Sequence, residues 1–158
     1  GKPSPLGMCI KNGIIYGDYM TSNSVMAVKK DGTIYTPAQG LMGKNLLAAG
    51  VKDTYNFGPV LIKDGEAQLP WAETEKYYPR TAVGMVKPND YVLLVTNTGS
   101  YNGLNHWDMV NIFKSYGCTY AYNLDGGGSA TLYFNGKVMN KLIGNTQRPC
   151  ADFLYFTR

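Results

Sequence analysis

Along most of this chain, short apolar runs are broken by turn residues, and long helical stripes are rare. Met8 to Ile10 and Ile14 to Tyr16 flank Lys11-Asn12-Gly13, and an Asn-Gly pair between apolar runs predicts a hairpin with a primed turn. Ser24 to Val28 and Thr33 to Tyr35 flank Lys30-Asp31-Gly32 and predict a second hairpin. Asn56 to Ile62 reads as a strand kinked at Gly58-Pro59, with Asp64-Gly65 turning the chain. Ala82 to Val86 and Tyr91 to Thr96 read as an antiparallel pair across Lys87-Pro88-Asn89-Asp90. Glu66 to Tyr78 shows no period and reads as a surface loop whose Trp71, Tyr77 and Tyr78 suit either a sugar-stacking wall or packing beneath the loop itself.

Two segments carry helical patterns. Gly40 to Ala49 places Leu41, Met42, Leu46, Leu47 and Ala48 in a short helix ended by Gly50. Asn105 to Gly117 is the clearer one, with Asn105 as cap and Asp108 as its reciprocal partner. Met109, Ile112, Phe113 and Tyr116 form its apolar stripe, while Asn111, Lys114 and Ser115 face water. This helix feeds a strand from Cys118 to Leu124. The pattern predicts an α+β fold: a twisted, mostly antiparallel or mixed β-sheet packed with one main helix and a short second helix.

A chain of 158 residues is long enough for one domain with a real core and short for two, so residues 1–158 read as a single domain. With 44% hydrophobic and 16% charged residues, disordered and collagen-like classes are excluded. Thirteen tyrosines and 19 glycines favour strands and turns. The formal charge of +4 is scattered, which does not imply nucleic acid and suits a small anion. No apolar stretch has the length of a membrane span, and the first residues show no basic-then-apolar leader. Cys9, Cys118 and Cys150 lack metal-type spacing; they read as three small thiols, with at most one bridge whose pairing the sequence leaves open.

The chemistry concentrates between Tyr120 and Gly136. An apolar run leads into Asp125, then Gly126, Gly127 and Gly128, then Ser129 and Thr131 in a second β-prone run ending at Asn135-Gly136. The reading is strand, tight glycine turn, strand. Three successive glycines mark a sharp bend or a close approach, a ligand being one candidate, and the plainer alternative is a long hairpin loop opening on Asp-Gly. A phosphate loop of the nucleotide type is disfavoured, since no lysine followed by Ser or Thr leads into a helix.

Asn123-Leu124-Asp125-Gly126-Gly127-Gly128-Ser129-Ala130-Thr131, preceded by Gly103-Leu104-Asn105-His106-Trp107-Asp108-Met109, resembles the phosphodiester glycosidase family. Asn56-Phe57-Gly58-Pro59-Val60-Leu61 with Asp64-Gly65, Pro79-Arg80-Thr81-Ala82-Val83-Gly84 and Arg148-Pro149 extend the resemblance in family order. It implies hydrolysis of a sugar 1-phosphodiester of the N-acetylglucosamine kind, giving free sugar and a phosphate monoester. A glycan or sugar-phosphodiester substrate and an extracytoplasmic or secreted location follow from it. In that family a glycine-rich segment with an Asn-Gly pair before an aromatic precedes the first hairpin. No such motif stands here, so the expectation is a domain lacking it. The competing class is a carbohydrate or cell-envelope binding module with an incomplete site.

A phosphate leaving group needs its charge held more than it needs protonation, in contrast to an ordinary glycoside served by two carboxyls. Arg80 and Asp125 are the expected catalytic residues, with Asp125 activating water or stabilising the anomeric carbon. Arg80, at the start of a strand, is explained by an anion or by a structural ion pair. Arg148 joins it, since a guanidinium fork matches two phosphate oxygens. Gly126, Gly127 and Gly128 would present amides as an anion nest. Ser129, Thr131, Thr81 and Asn56 complete the expected substrate contacts. A partner carboxylate is open among Asp18, Asp53, Asp64 and Glu66. The lone His106 is not needed by the mechanism, and no metal or other cofactor is expected, although calcium at Asp125 fits the chemistry of its oxygens.

Overall fold

The computed structural model of the chain describes residues 7–19, 21, 24–69, 77–97 and 103–157. Strands β1 (Cys9–Lys11) and β2 (Ile14–Gly17) form the first expected hairpin, with Asn12 and Gly13 at φ 50° and 77°. Two successive left-handed residues match the right-handed twist of the flanking strands, which is why Asn-Gly is favoured there. The second hairpin joins β3 (Val25–Lys29) to β4 (Ile34–Tyr35). Helix α1 (Gly43–Ala48) follows, and Gly50 turns the chain into β5 (Val51–Asn56), which pairs with β3.

The run read as one strand from Asn56 to Ile62 is two. Asn56 ends β5 in the three-stranded sheet, whereas β6 (Val60–Lys63) lies in a second, five-stranded sheet. Gly58 at φ 88° and Pro59, which has no N–H to donate, interrupt the ladder between them.

The five-stranded sheet has the order β7 (Glu66–Ala67), β6, β10 (Tyr120–Leu124), β8 (Thr81–Lys87) and β9 (Asp90–Val95). Every strand pairing among the described residues is antiparallel. Helix α2 (His106–Ser115) covers one face, setting Met109, Val110 and Phe113 against Leu61, Ile62, Ala82 and Ala121. On the other face Val83, Met85, Tyr120 and Tyr122 meet Met26, Val28, Ile34 and Tyr55 of the smaller sheet. The central strand is therefore buried from both sides. The fold is α+β, with one main helix and one short one.

Helix α2 carries the expected capping box, with Asn105 accepting from the Asp108 amide at 2.8 Å. Its stripe differs at one place: Tyr116 is 63% exposed and Val110 takes the core position. Tyr116 is the C-cap, at φ −90° and ψ 3°, so it has left the helical period. Gly84 of β8 is the contact point of helix and sheet, because a Cβ there would stand 2.5 Å from Phe113 Cδ1 and 2.7 Å from Cys118 Sγ.

Beyond β10 the expected glycine turn forms, but the second strand expected to follow it from Ser129 does not. Gly127–Ser129 make a 3-10 turn, and only Tyr133–Phe134 (β11) pair with Lys137–Val138 (β12), in a ribbon apart from the sheet. The final run, Ala151 to Phe156, opens on a bend at Ala151 and makes no ladder bonds. It is held by side chains: Leu154 packs on the core shared by the two sheets, and the Phe156 ring lies 5.2 Å from that of Tyr91. A β-prone composition produces a strand only where a free edge is available for pairing. This run passes β9, an outer strand of the five-stranded sheet, without adding to it.

Replacing Gly84 with Ala is expected to lower stability by about 1–3 kcal/mol, because Phe113 or the helix must shift; a urea midpoint equal to that of the wild type would contradict the close contact. Burial also pushes the phenols of Tyr55, Tyr120 and Tyr122 up, Tyr122 to about 12, against an ordinary 10.0. A raised folded pKa contributes stability that is full below the unfolded value and is lost as pH climbs through the folded one. Urea midpoints are thus expected to hold up to about pH 10 and fall between about 10 and 12. A flat profile across that window would be inconsistent with buried phenols.

Candidate active site

Asp125 stands just past the end of β10, where the glycine turn bends the chain back. The turn is pressed against the segment leading into β8: a Cβ on Gly126 would be 2.4 Å from the Pro79 carbonyl oxygen, and the Gly127 amide donates to that oxygen at 2.8 Å. Close backbone approach explains the glycine at position 126. The bend returns Ser129 beneath Asp125. Its hydroxyl donates to Asp125 Oδ2 at 2.8 Å, while the Gly126 amide donates to Oδ1 at 2.8 Å.

Arg148 completes the cluster. Its Nη2 donates to both Asp125 Oδ2 and Ser129 Oγ, and its stem lies over Gly128, with Cδ 3.5 Å from where a Cβ would be. The side chains of Arg148 and Asp125 are 53% and 46% exposed, so water screens the ion pair, and its contribution is about 0–1 kcal/mol. An incoming anion can open such a pair at little cost.

This cluster borders an open cavity of about 1400 Å³ between the body and the C-terminal strap. Asn56, Thr81, Thr131 and Leu124 also line it. Asn56 Oδ1 and Thr81 Oγ1 are buried without a hydrogen-bond partner among the described residues. Neither oxygen presents surface to the cavity as it stands. Asn56 is itself held in place, its Nδ2 donating to the Met8 carbonyl at 2.7 Å.

Several expected features lie elsewhere. Arg80 has its backbone beside Gly126, but its Nε donates to the Leu104 carbonyl at 3.1 Å and its guanidinium carbon lies 5.2 Å from the Tyr78 ring centre. It does not line the cavity. The anion nest is not formed as drawn: the Gly126 amide is taken by Asp125 and the Gly127 amide by Pro79. Of the four carboxylates considered as partner, Asp18 caps the start of α1 through the Gly43 amide and Asp53 accepts from the Asn12 amide. Asp64 and Glu66 sit on the β6–β7 turn, away from the cavity.

Asp152 is the second carboxylate lining the cavity, and it bonds Lys11 Nζ at 2.9 Å. Cys150 lies 3.4 Å from Ser129 Oγ. Neither has a motif signal, since both come from a strap whose path depends on packing. Asn123 has one: its Nδ2 donates to the Gly58 carbonyl at 2.7 Å, its amide to Pro59 and its carbonyl accepts from Gly58, tying the Asn56–Pro59 loop to the strand bearing Asp125. His106 is buried at 6% exposure and does not line the cavity. Tyr77 and Tyr78 are exposed near α2, and Trp71 lies outside the described residues. Among the described residues no three of His, Cys, Asp and Glu gather as a metal-binding group, and no helix is long and apolar enough to cross a membrane.

The sequence model of the family described as phosphodiester glycosidase matches residues 1–157. An uncharacterised SPbeta prophage-derived protein, YomE, of Bacillus subtilis is 30% identical over 94% of this chain and 25% of its own length. The N-acetylglucosamine-1-phosphodiester alpha-N-acetylglucosaminidase of Mus musculus is 28% identical over 82% of this chain and 29% of its own. The chain thus spans roughly a quarter of the curated relatives it matches. In fold it is similar to the catalytic domain of the zebrafish N-acetylglucosamine-1-phosphodiester alpha-N-acetylglucosaminidase, with a TM-score of 0.70 at 24% identity, covering 85% of this chain and 50% of that one.

Because the Arg148–Asp125 pair is half exposed, Arg148→Ala is expected to change unfolding free energy by less than about 1 kcal/mol. A urea titration giving a loss of several kcal/mol would mean that the pair holds the strap in place, and the reading of an easily opened pair would fall.

Proposed function

The chain belongs to the phosphodiester glycosidase family, and from that premise we propose that it hydrolyses the glycosidic bond of a sugar 1-phosphodiester, of the N-acetylglucosamine-1-phosphodiester kind, to free sugar and a phosphate monoester. The observation that carries the reading is the Asp125–Ser129–Arg148 cluster at the edge of a cavity that Asn56, Thr81 and Thr131 also line. In this reading residues 1–158 act as one domain.

The roles follow from the chemistry of the groups. Asp125 is held by Ser129 and by its neighbouring amide, which fixes its oxygens toward the anomeric carbon or an attacking water. Arg148 engages the carboxylate through one nitrogen, and its planar fork retains further donors for the phosphate. Substrate phosphate competes for the guanidinium, which leaves Asp125 Oδ2 available as the base. Arg80, whose backbone lies beside Gly126, supplies positive charge once its guanidinium turns from the Leu104 carbonyl, and Gly126, Gly127 and Gly128 let the turn lie close to it. Thr81, Thr131 and Asn56 bond sugar hydroxyls. Since the expected glycan is an envelope or secreted one, the reaction is placed outside the cytoplasm.

The test is release of N-acetylglucosamine from UDP-N-acetylglucosamine by the purified chain beside Asp125→Asn. Loss of a proton-transferring group is expected to lower kcat roughly 100-fold or more, while Arg148→Lys mainly raises KM, since a point charge replaces a two-pronged contact. Equal turnover by wild type and Asp125→Asn would overturn the assignment of Asp125. Saturable binding of sugar phosphodiesters with no turnover would favour a carbohydrate-binding module instead.

A further inference from the structure

Neither Tyr77 nor Tyr78, two of the rings expected to wall a sugar, lines the cavity beside Asp125. Other rings do. Most of them sit on the β11–β12 ribbon or on the C-terminal strap, neither of which joins a sheet of the core, and Tyr55 is buried with Lys11 Nζ 3.4 Å from its ring centre. Phe57 differs from all of these. It lines the cavity, it is 40% exposed, and the backbone on which it stands is tied to the core.

The ties lie on both sides of it. The Phe57 amide donates at 2.8 Å to the hydroxyl of the fully buried Tyr122. Just before it, Asn56 ends β5 and its Nδ2 donates to the Met8 carbonyl at 2.7 Å. Just after it, the Gly58 amide donates to the Asn123 carbonyl at 3.1 Å, and the Gly58 carbonyl accepts from Asn123 Nδ2 at 2.7 Å. Asn123 stands two residues before Asp125, so one pair of bonds links the segment bearing the ring to the strand bearing the carboxylate. A large apolar ring left open to water on so fixed a backbone gains from being covered, and little further ordering is needed when a ligand covers it.

The chemistry of the ring names what covers it. Phe57 has no donor or acceptor, so it adds nothing to the holding of a phosphate, which falls to Arg148 on the same cavity. Its face is apolar and electron-rich, and it matches the apolar, slightly positive C–H groups on a face of a pyranose. We infer that Phe57 is the platform on which the sugar ring of the substrate lies, and that it makes the site select a ring-bearing phosphate over an open-chain one. The choice of sugar rests on the reading of the chain as a sugar 1-phosphodiester hydrolase, and binding measurements separate the two.

The test is isothermal titration of the purified chain with N-acetylglucosamine 1-phosphate and, separately, with glycerol 3-phosphate, which carries a phosphate and hydroxyls but no ring. Phe57→Leu is expected to weaken binding of the sugar phosphate roughly 10-fold and to leave that of glycerol 3-phosphate unchanged. Phe57→Tyr, which keeps the ring face, should bind both as the wild type does. The ties of this loop to Tyr122 and Asn123 run through main-chain groups of residues 57–59, so both variants should keep the wild-type urea midpoint. Equal affinity of Phe57→Leu and wild type for the sugar phosphate, an equal loss for both ligands, or no binding of the sugar phosphate by the wild type would overturn the inference. Hydrolysis is read apart from this: a chain that binds the sugar phosphate through Phe57 yet cleaves no sugar phosphodiester would sink the proposed reaction and keep the platform.

Discussion

A phenolic hydroxyl in a dry core has to find partners, and the hydroxyl of Tyr122 finds them across the gap between the two sheets. It donates to the Ser24 carbonyl at 2.6 Å and accepts from the Phe57 amide at 2.8 Å, while its ring is fully buried. An unmet hydroxyl at that depth would cost about 1–3 kcal/mol. One residue on, Asn123 does the same with backbone groups of Gly58 and Pro59. The central strand is thereby locked to the loop carrying Asn56 just before it delivers Asp125. The position of the carboxylate is set by polar bonds that the core makes compulsory.

Most of the scaffold was legible because its signals are local. The Asn12-Gly13 turn, the capping box at Asn105 and Asp108, and the turn around Asn89 each state their conformation within a few residues. The errors came where pairing partners are distant. Asn56 and Val60 sit four residues apart yet belong to different sheets, and the β-prone residues after Thr131 pair only with each other, in a ribbon apart from both sheets. Tyr116 looked like core by spacing and is the residue at which spacing stops applying.

The site divides along the same line. Asp125, Ser129 and the close-packed Gly126 are neighbours in sequence, so the motif announced them together. Arg148 was placed by resemblance, and its contact is to the carboxylate and hydroxyl as well as to open solvent. The amides proposed as an anion nest are engaged in building the turn, a use that three glycines in a row cannot reveal. Asp152 and Cys150 carried no local signal, since their relevance depends on where the strap crosses the sheet.

That strap lacks ladder bonds, and most of its side chains face solvent. Its amides are therefore free to exchange with solvent through small openings that leave the two sheets and α2 intact. Arg148 rides on this least cooperative part of the molecule, while Asp125 is anchored to the most cooperative part. On warming, the arrangement at the cavity is expected to come apart before the two sheets do, since the two halves of the ion pair sit on segments of different local stability.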